Sequence, residues 1–363
     1  MKLLYITNGI CGVGGLERVL SIKASYLAEH YNYDVHILTL NEKDKQPFYA
    51  FSSKIKFHSI PYTGIFSYFS GLRKAVKEIC PDIISVCDDG LKGFFVPLYL
   101  SKPCPMIYER HVSKVTSSKD KDFFDKIKSK IIYSLMNAGG KLYDKFVVLT
   151  EKNKLEWENL TNIEVIVNPL TFYPKQNSSL KNKKAILVGK LSYQKGQDFV
   201  IETWKKVAKI YPDWVLEIYG KSDENNYYQT LIDKYKLEKN TLLLPPTSDI
   251  EQRYLDASIY VMSSRFEGFG MVLTEAMACG LPCVSFDCPY GPSDIITEGE
   301  DGFLVPVGDT DKLAEKICFL IENDETRFRM GKNAKENVKR FLPENIISQW
   351  DKLFKELINK NER

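Results

Sequence analysis

The stretch Ala185-Ile-Leu-Val-Gly-Lys-Leu-Ser-Tyr-Gln-Lys-Gly196 decides the fold. It is a short apolar run that ends in a glycine-bounded loop and is followed by a longer amphipathic segment, the sequence form of a βαβ unit around a parallel sheet. The same alternation has already run once upstream, so Ala185 opens a second cycle. The first cycle predicts strands at 2–7, 34–40, 83–86, 106–108, 145–149 and 164–167, with helices at about 15–30, 68–80, 92–100, 123–138 and 151–159. The second predicts strands at 185–189, 215–219, 241–244, 259–262, 283–286 and 302–305. Between the cycles, residues 168–184 are rich in Pro, Asn, Ser and Lys without apolar periodicity, which marks a linker.

The expected class is α/β, with two Rossmann-like, doubly wound parallel-sheet domains facing across a cleft. The boundaries are 1–170, 171–343, and a closing helix in 344–363, entered by Pro343 and long enough to cross back onto the first domain. In such folds ligands bind outside the carboxyl ends of the strands. A length of 363 residues suits two domains, and 44% hydrophobic with 27% charged residues excludes disordered, collagenous and disulfide-scaffold classes. No apolar run reaches the roughly 18 residues of a membrane span, and residues 1–7 look like a first strand rather than a signal peptide, so a cytoplasmic location is expected. The eight cysteines form no CxxC pair and read as reduced thiols; Cys279, Cys283 and Cys288 lie close together, but no histidine follows them to complete a zinc set. Net charge is +3, divided as +5 for residues 1–170 and −2 for the remainder, and nothing in it suggests a nucleic-acid partner.

Three segments carry chemistry. The first strand runs into Asn8-Gly-Ile-Cys-Gly-Val-Gly-Gly-Leu-Glu-Arg18, where Gly12, Gly14 and Gly15 let backbone approach an anion at a helix amino terminus. A dinucleotide fingerprint GxGxxG starting at Gly12 meets Glu17 at its third glycine position, which weakens a nicotinamide reading, although Glu42 after the second strand offers a ribose acceptor. A ligand-free glycine turn is the plain alternative. The loop after Leu187-Val-Gly189 places Lys190 and Lys195 beside a strand end, two ammonium groups suited to a diphosphate or, equally, to solvent.

The third segment is Ser264-Arg-Phe-Glu-Gly-Phe-Gly-Met-Val-Leu-Thr-Glu-Ala-Met-Ala-Cys-Gly280. A Gly268-Phe269-Gly270 turn leads into a helix from Met271 and Val272, with Gly280 just beyond its end. The first N–H groups of that helix are anion donors, while Glu267 before it and Glu275 in its second turn are acceptors for sugar hydroxyls. Either glutamate alone reads as an ordinary turn or helix residue; together, flanking an anion-binding turn, they suit a nucleotide sugar. Of four histidines, only His111, after Tyr108-Glu-Arg110 at a strand's carboxyl end, is placed for chemistry. Asp309-Thr-Asp311 reads as a helix cap and Asp120-Lys-Asp122 sits in a lysine-rich stretch, so neither makes a metal-binding DxD pair and no metal or cofactor is expected.

With these motifs in place the chain resembles the retaining glycosyltransferases of family 4, of GT-B architecture, over nearly its whole length. Glu267 and Glu275 with seven residues between them match the family's paired glutamates, Gly14-Gly15-Leu-Glu17 its amino-terminal glycine motif, and residues 189–196 its diphosphate loop. The resemblance implies that Glu275 holds the ribose and that Glu267, with backbone from Gly268 to Val272, contacts the donor sugar. It further implies that Lys190 and Lys195 neutralise the leaving diphosphate and that His111 lies near the transferred sugar. Glu267, His111 and Lys195 are then the catalytic candidates, and Gly14, Gly15, Lys190, Lys195, residues 267–272 and Glu275 the donor-binding set. Two departures stand out: Lys190 replaces the usual Arg, losing a bidentate fork, and Pro245-Pro246 replaces a glycine near the expected base pocket.

The implied reaction moves a hexose or N-acetylhexosamine from a nucleoside diphosphate, with UDP expected, by electrostatic stabilisation of the departing diphosphate and same-face attack by the acceptor. A covalent route through Glu267 is the other way to retain configuration. The stretch Asp287-Cys-Pro-Tyr-Gly-Pro-Ser-Asp-Ile-Ile296 looks like bacterial enzymes that extend polyprenyl-diphosphate-linked or capsular glycans. Eight aromatic residues between 48 and 69, and eight lysines against four aspartates in 114–145, suit either peripheral contact with the inner leaflet beside a lipid-linked acceptor or core aromatics with a solvated helix. Rival functions are a nucleotide-sugar epimerase or hydrolase on the same fold, and a non-catalytic binding module for sugar nucleotides or lipid surfaces.

Overall fold

A computed structural model describes residues 1–113, 123–221 and 225–361. The lysine-rich stretch 114–122, with Asp120 and Asp122, lies outside the described residues. Contacts divide the chain into unit 1, Met1–Thr171 with Pro343–Arg363, and unit 2, Phe172–Leu342.

Unit 1 carries, among the described residues, a seven-stranded sheet: β1 (Lys2–Thr7), β2 (Asp34–Leu40), β3 (Lys56–Ile60), β4 (Ile83–Cys87), β5 (Met106–Glu109), β6 (Lys145–Val148) and β7 (Ile163–Val165). Their order is β3-β2-β1-β4-β5-β6-β7, and every pair is parallel. This is the doubly wound Rossmann order, which reverses between β1 and β4. Alternation along β1 shows why both faces are covered. Leu3 and Tyr5 join the core under α1 (Gly15–His30), whereas Leu4 and Ile6 join the core under α2 (Ile65–Ile79). Strand β3 was absent from the sequence reading because Lys56-Phe-His-Ser-Ile60 is an edge strand with its first residues exposed, so it lacks a buried apolar run. The helix expected at 92–100 is two short ones, α3 (Leu91–Phe94) and α4 (Val96–Leu100), since Pro97 has no N–H to continue the first. Then follow α5 (Phe123–Gly140) and α6 (Glu151–Lys154), the latter capped by the Thr150 side chain, which accepts from the Asn153 amide.

Unit 2 repeats the plan with β8 (Lys184–Val188), β9 (Val215–Tyr219), β10 (Thr241–Leu244), β11 (Ile259–Met262), β12 (Cys283–Phe286) and β13 (Gly302–Val305). The order is β10-β9-β8-β11-β12-β13, again all parallel, reversing between β8 and β11. Around it lie α7 (Gln197–Ile210), α8 (Tyr227–Tyr235), α9 (Ile250–Leu255), α10 (Met271–Ala278), α11 (Pro292–Ile295), α12 (Thr310–Glu322) and α13 (Asp324–Asn337). Asp309 caps α12 through the Lys312 amide. Trp204, Val207, Ile218, Val261 and Ile317 are among the side chains of one continuous core.

The last helix, α14 (Pro343–Asn361), packs on α1. Ile346, Ile347, Trp350, Leu353, Phe354 and Leu357 enter the same core as Leu3 and Tyr5, and Tyr33 Oη donates to Asp351 Oδ1 at 2.8 Å. No helix among the described residues is long and apolar enough to cross a membrane.

Candidate functional site

The reversal between β8 and β11 brings two loops of unit 2 together, residues 189–196 after β8 and 263–267 after β11. Lys195 Nζ lies 2.8 and 3.0 Å from the two carboxylate oxygens of Glu267, and Ser264 Oγ donates to Oε1 at 2.6 Å. Gly196 joins the loops closely: its backbone has φ +63°, and a Cβ there would stand 2.1 Å from the Ser263 carbonyl oxygen. Arg265, between Ser264 and Glu267, faces away from that cluster. Its guanidinium meets Asp198 bidentately at 2.8 and 2.6 Å and lies between the rings of Tyr193 and Phe199, 4.1 and 4.0 Å from their centres. The hydrogen bond to Asp198 holds the arginine above its ordinary value. Arg265 thus pins the loop at whose other side Glu267 meets Lys195, a supporting role that the sequence reading missed because Asp198 lies 67 residues away.

Gly270, with φ +94°, turns the chain into α10, whose first amides follow it directly. Phe269 is buried against Phe341, edge to face at 5.6 Å, while Gly268, Met271 and Val272 are half-buried. Glu275 is buried rather than on an exposed helix face, and Tyr254 Oη donates to its Oε2 at 3.3 Å. Lys190 is exposed at the loop rim, its carbonyl accepting from Gln197 Nε2 at 3.0 Å. Unit 2 therefore brings together Lys195, Glu267 and the Gly268–Val272 turn. Glu275 lies in the second turn of α10, and Lys190 is exposed and is no partner in the Glu267 ion pair.

In unit 1 the glycine turn after β1 is filled by carboxylates of the chain itself. Glu42 accepts from the amides of Ile10 at 2.8 Å and Cys11 at 3.3 Å, so it serves the turn rather than standing free for a ribose. A Cβ on Gly12 or Gly14 would come within 2.4 Å of a Glu17 carboxylate oxygen, the far end of a side chain that can turn away. Gly14 precedes α1 and Gly15 is its first residue. Beyond β4, Asp88 pairs with Lys92 at 2.6 Å and accepts from Asn8 Nδ2 at 3.0 Å.

His111 follows β5. Its Nε2 lies 3.2 Å from Glu109 Oε2, the same oxygen that pairs with the buried ammonium of Lys23 on α1. Ser85 Oγ on β4 donates to Glu109 Oε1 at 2.6 Å. Burial raises the Glu109 carboxyl, but Lys23 and His111 outweigh it and bring it down to about 2. Cys87, Glu109 and His111 offer ligand atoms within 4.8 Å of one another. The Lys23 ammonium on the shared carboxylate opposes a cation there, and the Cys87 thiol is pushed well above its usual range by burial and then by Glu109. These residues do not fit a metal centre.

At the carboxyl ends of parallel strands, unit 2 gathers a cation, carboxylates and a helix amino end, and unit 1 a glycine turn whose amides Glu42 occupies, groups whose chemistry suits phosphates and hydroxyls. Comparison with known proteins agrees. Residues 171–337 match the family model described as glycosyl transferases group 1. An uncharacterized glycosyltransferase of Haemophilus influenzae is 30% identical, over 96% of this chain and 98% of that protein. The amylovoran biosynthesis glycosyltransferase AmsD of Erwinia amylovora is also 30% identical over the same shares. Among solved structures, Anabaena HepE in complex with UDP-glucose superposes with a TM-score of 0.78 at 18% identity, covering 98% of this chain and all of that one, which places the fold in the GT-B class. Two parallel sheets that each reverse their strand order near the middle, and relatives matched from end to end, lead to one assignment: the chain belongs to the group 1 glycosyltransferases.

Proposed function

We propose that the protein is a retaining, metal-independent transferase of family 4 that moves a hexose or N-acetylhexosamine from a UDP-sugar to a lipid-linked or capsular glycan precursor. The observation that carries this reading is the Lys195–Glu267–Ser264 cluster in front of the Gly268–Val272 turn. In this reading unit 2 is the donor domain. The diphosphate takes Lys195 and Lys190 as counter-charges and the α10 amides as donors, Glu275 accepts from the ribose, and Glu267 accepts from the transferred sugar. Lys195 is then shared between Glu267 and the diphosphate, so its ammonium gains a second anion as the leaving-group charge develops. In unit 1, Gly14 and Gly15 let backbone approach a phosphate, with Glu17 turning aside for it, and His111 meets a hydroxyl of the sugar being moved. Catalysis follows from stabilising the departing diphosphate and orienting the acceptor on the same face.

UDP is favoured by the UDP-glucose complex of HepE, and a surface-glycan acceptor by the amylovoran role in AmsD's name. Peripheral contact with an anionic membrane, on the cytoplasmic side, draws support from α5, where Ile127, Ile131 and Leu135 form one exposed stripe flanked by exposed Lys128 and Lys130. Sedimentation with phosphatidylglycerol vesicles should be lost in Ile131→Asp; equal sedimentation removes the membrane contact.

The deciding experiment is calorimetric titration with UDP, GDP and ADP in EDTA. UDP should bind, and Lys195→Ala and Glu275→Ala should each weaken it by about tenfold or more, the loss of one charge-assisted hydrogen bond. Unchanged affinity in both variants removes the site assignment. An anomeric configuration in the product opposite to that of the donor, read by NMR, removes retention.

A further inference from the structure

The Glu109 cluster assigns a hydrogen-bonding direction to His111. Glu109 is the last residue of β5 and is 1% exposed, with the Cys87 thiol and three more strongly polar groups around its carboxylate. Two of them can only donate to it in this geometry: the Ser85 hydroxyl to Oε1 at 2.6 Å, and the Lys23 ammonium to Oε2. The third is His111 Nε2, 3.2 Å from Oε2. A carboxylate accepts and does not donate, so a neutral His111 beside it carries its proton on Nε2. Its lone pair is then on Nδ1. That atom is buried and has no hydrogen-bond partner among the described residues, in a side chain only 7% exposed. A buried acceptor without a partner costs about 1–3 kcal/mol, so an arrangement that leaves one calls for a reason.

Lys23 supplies the second half of the argument. Its ammonium lies over the rings of Tyr5, 5.0 Å from the centre, and Trp350, 4.0 Å from the centre, so it is closed in by β1 and α14. A buried ion pair is a weak source of stability, because apolar side chains of similar volume do as well or better. Its value lies in fixing a geometry. Here it holds the Glu109 carboxylate at the one place where it orients the imidazole.

We infer that Glu109 is a positioning residue that fixes His111 in its Nε2–H tautomer, with Lys23 as the counter-ion that holds it, so that Nδ1 accepts a hydrogen bond from a hydroxyl of the sugar being transferred. This deepens, and rests on, the donor-sugar role given to His111 above. Carboxylate, tautomer and acceptor atom form a short relay in which only Nδ1 meets substrate, while Glu109 and Lys23 act through it. A hydroxyl donating to a pre-oriented Nδ1 is held without reorganisation, and a sugar lacking that hydroxyl leaves the nitrogen unpaired.

The test uses the full chain labelled with ¹⁵N-histidine, whose four histidines give a tractable spectrum, the His111 signal being identified by its loss in His111→Asn. Long-range ¹H–¹⁵N correlations on the unliganded protein should show a protonated Nε2 and an unprotonated Nδ1. A protonated Nδ1, or an average of the two forms, overturns the inference and leaves the donor-binding reading intact. Saturation with UDP-glucose or UDP-N-acetylglucosamine, whichever calorimetry shows to bind, should shift the Nδ1 resonance upfield. An unmoved Nδ1 in the saturated protein overturns both the inference and the sugar role of His111. Two charge-free double variants separate positioning from folding. Lys23→Met with Glu109→Leu removes the acceptor, and should average the tautomers and lower kcat about tenfold with KM for the nucleotide sugar nearly unchanged. Lys23→Met with Glu109→Gln keeps an acceptor oxygen and should retain both tautomer and most of kcat. Equal kcat in the two folded variants, judged by thermal melting, overturns the assignment.

Discussion

At Gly291 the backbone has φ +115°, and a Cβ would stand 1.9 Å from the carbonyl oxygen of Phe269. Alanine there must both adopt a backbone region that L residues avoid and push on the Gly268–Gly270 turn. Gly291→Ala is expected to lose more than about 2 kcal/mol of stability and to weaken UDP binding, because the turn that it displaces leads into the α10 amides. Thermal melting and calorimetry read the two effects, and a variant that melts and binds like the parent would show that the turn moves freely. The contrast with Gly268 and Gly270 shows what sequence makes legible. Those two lie within the motif and mark the turn by themselves, whereas the need for glycine at 291 comes from a neighbour 22 residues away and has no local sign. The same division runs through the rest of the site. Glu267, Lys195 and His111 stand out by residue type beside strand ends, while Arg265, Ser85 and Lys23 do their work through partners that only the fold supplies.

At the scale of elements, strands β2 and β3 meet through a histidine pair. His36 Nδ1 lies 2.9 Å from His58 Nε2, and the rings are parallel to within 5°. Desolvation lowers both histidines below their ordinary value, and for His36 the nearby Asp34 carboxylate offsets this only in part. The facing charged groups are Asp34 and Lys2 from β2 and β1, Lys56 from β3 and Glu78 from α2. A lowered folded-state value means that the unfolded chain binds protons first. The pairing is therefore fully present above about pH 6.5 and weakens as pH falls below it, when two imidazolium rings would face each other. The protection of the β3 amides against hydrogen exchange, with the intrinsic pH dependence of exchange divided out, should fall between about pH 6.5 and pH 5, and His58→Gln should lessen that dependence. A pH-independent β3 would remove the pair as its cause. This is the strand that sequence periodicity passed over, for a related reason. The other strands announce themselves by buried β-branched runs, whereas β3 is held by edge pairing and side-chain contacts that carry no period. Of the eight aromatics near it, Tyr68 and Phe69 are core while Phe48 and Phe66 are exposed, so composition alone spoke for both readings.

For the whole molecule, α14 is the element with the largest leverage. Six of its apolar side chains, from Ile346 to Leu357, belong to the core of unit 1. At roughly 1.5–3 kcal/mol for each side chain buried, they amount to about 10 kcal/mol or more, against a total stability of about 5–15 kcal/mol for a typical domain. Truncation after Leu342 should thus leave unit 1 unfolded or aggregating, while unit 2, whose core does not include α14, keeps a cooperative melting transition. Two intact transitions in the truncated chain would show that α14 is dispensable. The sequence carried the helix and its apolar face, but not that Trp350 would lie over Lys23 and close the pocket around Glu109.

This order of segments also gives the protein a schedule. Residues 172–342 leave the ribosome between the body of unit 1 and the helix that completes it. At about 5–20 residues per second, that interval lasts on the order of ten to thirty seconds. During it the nascent amino-terminal half waits with an open apolar face, a client for chaperones, while the later half can already close. Emergence of α14, more than any single strand pairing, then becomes the moment at which Lys23 is shut in.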